Sequence, residues 1–361
     1  MSILKNNFFA IIFFVLILLF AYNFNIEFER NALFPEKSIE ETSNLFITTC
    51  EQFQNKKNCL RSLFYNLSYS KGHEFSFSVL LLMQKKTNDT NDCHDIAHSI
   101  GSGSFERNSN KKDLLRIISS VCSYGAIHGV IESYLISFPN ETILDPSTIK
   151  SICEGSHQNC YHGLGHILLA ETDGNLSMAF DSCEVLNHSR LVLICKRGVL
   201  MEFVYPPLLV AHGILPESSL NIVSKLENLT ILCNSFKDLN ISQICWGEMA
   251  RVIKSRFRAN PTNVFAYCNL APLFDQRVLC ELRSIESYLQ QNNLDTAFVT
   301  PFCSLTKSLS DKSCYNSIVN VLLQNSNDVS RAKAFCDSLP SDYIHSCLNQ
   351  IGLTMNYIQD I

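Results

Sequence analysis

The chain reads as all-α: a solenoid of disulfide-stapled helical hairpins behind an N-terminal membrane-anchor helix. Its cysteines fall in pairs. Cys183/Cys195, Cys233/Cys245 and Cys268/Cys280 share one spacing, and Cys303/Cys314 and Cys336/Cys347 are one residue closer. From Cys233 onward the pairs recur every 33–35 residues, a period that belongs to stacked helical hairpins. Turn-forming residues separate the two cysteines of a pair, an amphipathic segment follows the second, and strand-type alternation is scarce.

The staple follows from geometry. Two residues 11 or 12 apart on one helix lie about 17 Å apart at 1.5 Å per residue. A disulfide needs Cα atoms within about 7 Å, so the chain must turn between the cysteines. Ser308, Ser310 and Asp311, and likewise Ser338, Pro340, Ser341 and Asp342, are turn and N-cap residues. Asn187 and Ser189, and Asp238 and Asn240, serve the same purpose upstream. The segments starting at Cys195, Cys245, Cys314 and Cys347 then supply the second helix of each hairpin. Cys50/Cys59 and Cys153/Cys160 are shorter versions of the pair. Cys93 and Cys122 are left to bridge one another, at a spacing that breaks the rule.

The N-terminus carries Lys5 and then an unbroken apolar run from Phe8 to Tyr22. The run is short for a span of about 20 residues and has the size of a signal-peptide core. No A-x-A-like pair follows it, which favours an uncleaved signal-anchor. The positive-inside bias puts residues 1–7 in the cytoplasm, the anchor at 8–24, and everything beyond it outside. After a linker at 25–45, N-terminal repeats occupy 46–210 and C-terminal hairpins occupy 211–361. The expected location is a single-pass membrane protein with an extracytoplasmic bulk.

Sixteen cysteines, with no CxxC, fit a disulfide framework in an oxidising compartment and argue against zinc ribbons or thioredoxin-type motifs. Seven N-x-S/T sequons, at Asn66, Asn88, Asn140, Asn175, Asn187, Asn228 and Asn240, mildly support a glycoprotein. The net charge of −5 and the lack of a basic block exclude nucleic acid as the expected partner. G-x-S-x-G, P-loop, dinucleotide and HExxH motifs are absent. Lys196, Arg197 and Arg107 read as solvated surface before they read as an anion site, and Trp246 reads as core.

Chemistry concentrates between Cys93 and His166. Three segments there place a ligand pair at i and i+4: His94/His98, His128/Glu132 and His162/His166. On a helix each pair stacks on one face. Aligning Cys160-Tyr-His-Gly with Ala126-Ile-His-Gly sets His128 beside His162 and Glu132 beside His166. In the next repeat these positions hold Arg197 and Met201. The ligand pairs are therefore a variant of the hairpin repeat, confined to the N-terminal half. Imidazole and carboxylate suit iron, zinc and copper. The set exceeds what one tetrahedral zinc needs, so a two-metal version bridged by Glu132 is the sharper expectation. Asp95 and Tyr161 are candidates to orient the ligands from behind. Gly163 and Gly165 cost helix stability, roughly 1 kcal/mol each, and close approach of a neighbouring ligand helix is a reason to keep them.

The HxxxE and HxxxH spacings resemble those of the hemerythrins, oxygen-binding di-iron bundles. Ligand pairs on successive helical repeats resemble deoxyhypusine hydroxylase, a HEAT-repeat di-iron enzyme. Both resemblances stop at ligand spacing: the chain lacks the HxxxxD of hemerythrins, and neither family has these paired cysteines. The expected function is a metal-dependent oxidoreductase or hydrolase. A non-catalytic scaffold whose groove binds a peptide, glycan or protein is the alternative. Geometry separates them, because only the first needs the six side chains around a common point.

Overall fold

The computed structural model describes residues 36–87, 92–108, 110–118, 121–122, 124–137, 144–204, 226–257, 260–292, 294–326 and 329–359. The expected anchor at 8–24 lies outside them. Among the described residues, no helix is long and apolar enough to cross a membrane.

The described chain is helical throughout, with no strand among the described residues. Its helices succeed one another as α1 (Ile39–Cys50) and α2 (Lys56–Lys71), α3 (His73–Thr87) and α4 (Cys93–Arg107), and α5 (Lys111–Ile117) and α6 (Gly125–Ser137). Then come α7 (Pro146–Ile152) and α8 (Gln158–Glu171), and α9 (Leu176–Glu184) and α10 (Ser189–Val204). Beyond 225 lie α11 (Leu226–Ser235) and α12 (Leu239–Arg256), and α13 (Pro261–Cys268) and α14 (Phe274–Gln291). A short α15 (Thr296–Val299) runs into a 3-10 turn (Thr300–Leu305) before α16 (Asp311–Ser326), and α17 (Val329–Asp337) and α18 (Ser341–Gln359) close the series.

Local chemistry sets the starts. Ser38 and Glu41 form a capping box on α1. Asp145 accepts from the Ser147 and Thr148 N–H groups with Pro146 at the first helical position of α7. Asn260 and Pro261 repeat that arrangement on α13.

All sixteen cysteines are paired. The seven hairpin staples are Cys50–Cys59, Cys153–Cys160, Cys183–Cys195, Cys233–Cys245, Cys268–Cys280, Cys303–Cys314 and Cys336–Cys347. Each joins the end of one helical segment to the first two turns of its partner. The eighth, Cys93–Cys122, has a Cα separation of 5.3 Å. It ties the first turn of α4 to the approach to α6, and so links two successive hairpins.

The second helix of each pair packs on the second helix of the next: α2 on α4, α4 on α6, α6 on α8, α8 on α10, and so on through α12, α14 and α16 to α18. One apolar core runs from Phe46 to Val199 and a second from Leu200 to Ile351. Trp246 is fully buried in the second, its Nε1–H donating to Asn234 Oδ1 at 3.1 Å. Glu281 is buried as well. Its carboxylate accepts the backbone N–H groups of Lys307, Ser308 and Leu309, and so holds the turn that leads into α16.

Candidate metal centre

The row of packed helices brings α4, α6 and α8 side by side, and with them five histidines. His94, His98 and His128 form one group whose ligand nitrogens lie within 4.8 Å of one another, and His128, His162 and His166 form a second. His128 belongs to both. Its ring centroid stands 5.2–5.5 Å from those of the other four. His98, His128 and His166 are only 7%, 5% and 6% exposed.

Three of the rings have a polar group behind Nδ1. A carbonyl only accepts, so the Nδ1–H of His94 donates to the Cys122 carbonyl at 2.9 Å. His98 Nδ1 lies 3.3 Å from Glu132 Oε1, and His166 Nδ1 lies 3.1 Å from Glu202 Oε2. A ring whose Nδ1 carries the hydrogen presents a lone pair at Nε2. The Nε2 atoms of His94 and His98 nevertheless face each other at 3.2 Å. Two neutral rings of this tautomer would set lone pair against lone pair; a shared proton or a metal ion between them removes the conflict. Tetrahedral ligands at about 2.0–2.1 Å from an ion stand about 3.3 Å apart, close to the separation found. The Nε2 atoms of His162 and His166 are also 3.2 Å apart.

The backbone is shaped to permit this. A Cβ on Gly163 of α8 would come 2.8 Å from Ile131 Cδ1 and 3.0 Å from His128 Cδ2, so the glycine makes room for the His128 ring. A Cβ on Gly129 would lie 2.0 Å from the His98 carbonyl oxygen, and one on Gly165 would lie 2.0 Å from that of Cys195. The ligand helices thus touch backbone to backbone. Cys122 and Tyr124 have φ of 59° and 64°, a left-handed conformation that non-glycine residues adopt at a cost of about 1 kcal/mol or more. There the Cys122 carbonyl is turned towards His94.

Burial is the main cause that drives the imidazolium form of His128 well below its usual range, reinforced by His166, His98, His94 and His162. The ring is neutral and ready to act as a donor.

No family model, curated protein or solved structure matches the chain.

All six sequence-selected ligands converge on this region, but in two ranks. The five imidazoles face one another, whereas Glu132 sits behind His98 at Nδ1. Asp95 is held by Lys57 on α2. Burial pushes its carboxyl up, and the Lys57 hydrogen bond and charge outweigh that and hold it low. Tyr161 lines a cleft with Lys150, Glu154 and Leu191, and burial and Glu154 raise its phenol. Arg107 donates to the Tyr69 and Ser70 carbonyls, Lys196 pairs with Glu184, and Arg197 Nε donates to Glu248 Oε1 at 3.0 Å. Sequence reasoning missed Glu202 and the Cys122 carbonyl. Glu202 is one residue past Met201, the position aligned with His166, and is the lone acid in an otherwise apolar stretch of α10.

Proposed function

We propose that this chain is an extracytoplasmic metalloprotein, membrane-anchored through its N-terminal apolar run. In this view its hairpins stack as a solenoid and its histidine cluster performs redox chemistry on a bound transition metal. The observation that carries the reading is the 3.2 Å approach of two Nε2 atoms whose opposite nitrogens are already engaged, on His94 and His98. By donor type copper is the favoured ion, while the tetrahedral spacing of each pair also suits zinc. Both groups are built of imidazole alone, every thiol is consumed in a disulfide, and Cu(II) heads the affinity order for nitrogen sites. Eight disulfides support an oxidising compartment. Glu132 and Glu202 then orient His98 and His166 and raise their basicity as donors. Glycans on the sequons fit the same location.

Metal analysis of the full chain, purified from an oxidising compartment, tests the proposal beside His98→Ala and His166→Ala. Copper should be retained by the wild type and depleted in both variants at unchanged helicity. Its Cu(II) signal should vanish on adding ascorbate and return in air. Retention of zinc against competing copper would favour hydrolysis by metal-bound water instead. A wild type that binds no transition metal at micromolar concentration would leave a disulfide-stapled scaffold.

A further inference from the structure

His128 is the one ligand common to both three-histidine groups, and its surroundings differ from those of His94, His98 and His166. His94, His98 and His166 each have Nδ1 tied to a carbonyl or carboxylate. Neither Nδ1 nor Nε2 of His128 has a hydrogen-bond partner among the described residues, though both are buried. A buried ring with two unmet nitrogens carries a desolvation cost at each. The ring stands between the two pairs, and its Cδ2–Nε2 edge faces Gly163 on α8, the helix of His162 and His166.

We infer that the centre holds two transition-metal ions bridged by the His128 ring. Nε2 serves the ion held by His162 and His166, and Nδ1 serves the ion held by His94 and His98. This rests on the metal-centre reading above and adds nuclearity and the identity of the bridge. The bridge requires both ring nitrogens as donors, so the remaining N–H proton leaves to solvent as the second ion binds and the ring becomes imidazolate. The charge balance is favourable. Two divalent ions bring +4; the imidazolate, Glu132 and Glu202 return −3, with one carboxylate behind each pair. The design is a repeated unit: a pair of histidines on α4 or α8, one of them backed by a glutamate from the next packed helix, α6 or α10. His128 joins the two copies.

The full chain is titrated with Cu(II) and followed by electron paramagnetic resonance, with native mass spectrometry counting the ions bound. The expected result is two ions per chain. The integrated Cu(II) signal should rise to the first equivalent and fall on the second, because an imidazolate bridge couples the two spins. In His128→Gln the coupling should disappear and the second ion should bind at least tenfold more weakly. Wild-type behaviour alone decides the matter if that variant fails to fold. One ion per chain, or two ions with the full uncoupled signal, would overturn the bridge and leave the metal centre standing. No bound ion would overturn both.

Discussion

Glu132 and Glu202 stand behind His98 and His166, at 3.3 and 3.1 Å. Carboxylates of this kind usually govern metal affinity by one or two orders of magnitude. We therefore expect Glu132→Gln and Glu202→Gln to weaken binding about 10–100-fold in a chelator-competition assay, with helicity kept. Affinity unchanged in both would separate these contacts from the metal. His157 caps α8. Its Nδ1 accepts the Asn159 N–H at 3.1 Å, and burial lowers its pKa from 6.5 to about 4. The unfolded chain thus takes up the proton first. The contribution of His157 to stability is intact above pH 6.5 and is lost as pH falls through about 4. Urea unfolding from pH 7 to 4 should show a shallower loss in His157→Asn, which keeps a capping acceptor without the titration; identical profiles would exclude His157 as the cause. The ligand pairs themselves were legible in sequence because i and i+4 share a helical face. The division of labour among them was not. It depends on which helix lies alongside, and Glu202 reaches His166 from a different helical hairpin.

At the scale of helices, the glycines of the ligand segment answer to space. Gly165→Ala would drive a Cβ to 2.0 Å from the Cys195 carbonyl oxygen, contact with backbone that cannot rotate away. Overpacking of this kind costs about 1–3 kcal/mol, so its unfolding midpoint should fall clearly. Gly352 on α18 meets nothing within 4 Å. Gly352→Ala should instead be neutral or stabilise by up to about 1 kcal/mol. Equal effects of the two substitutions would refute the close-approach argument. The hairpins were readable because a disulfide cannot close along a straight helix. Cys93–Cys122 was harder. Ala126 replaces the cysteine that would open α6, and the freed Cys122 reaches back to α4, a choice made by packing between hairpins.

Across the whole molecule, eight disulfides lock a chain of short helices. Each staple of 11 or 12 residues is worth about 3 kcal/mol in the chain-entropy model. A Cys303→Ala, Cys314→Ala double variant should lose about that much in denaturant unfolding, and no loss would contradict the staple's role. The described helices pack in sequence order. That is why histidines of three neighbouring helices, α4, α6 and α8, can meet. Whether this gathering serves a metal is tested most directly by anomalous diffraction at the copper edge, on crystals of the full chain grown with copper. The account predicts anomalous density within about 2.0–2.2 Å of the Nε2 atoms of His94 and His98, and again beside those of His162 and His166. Crystals with full copper in the medium and no anomalous density at any of the five histidines would contradict it.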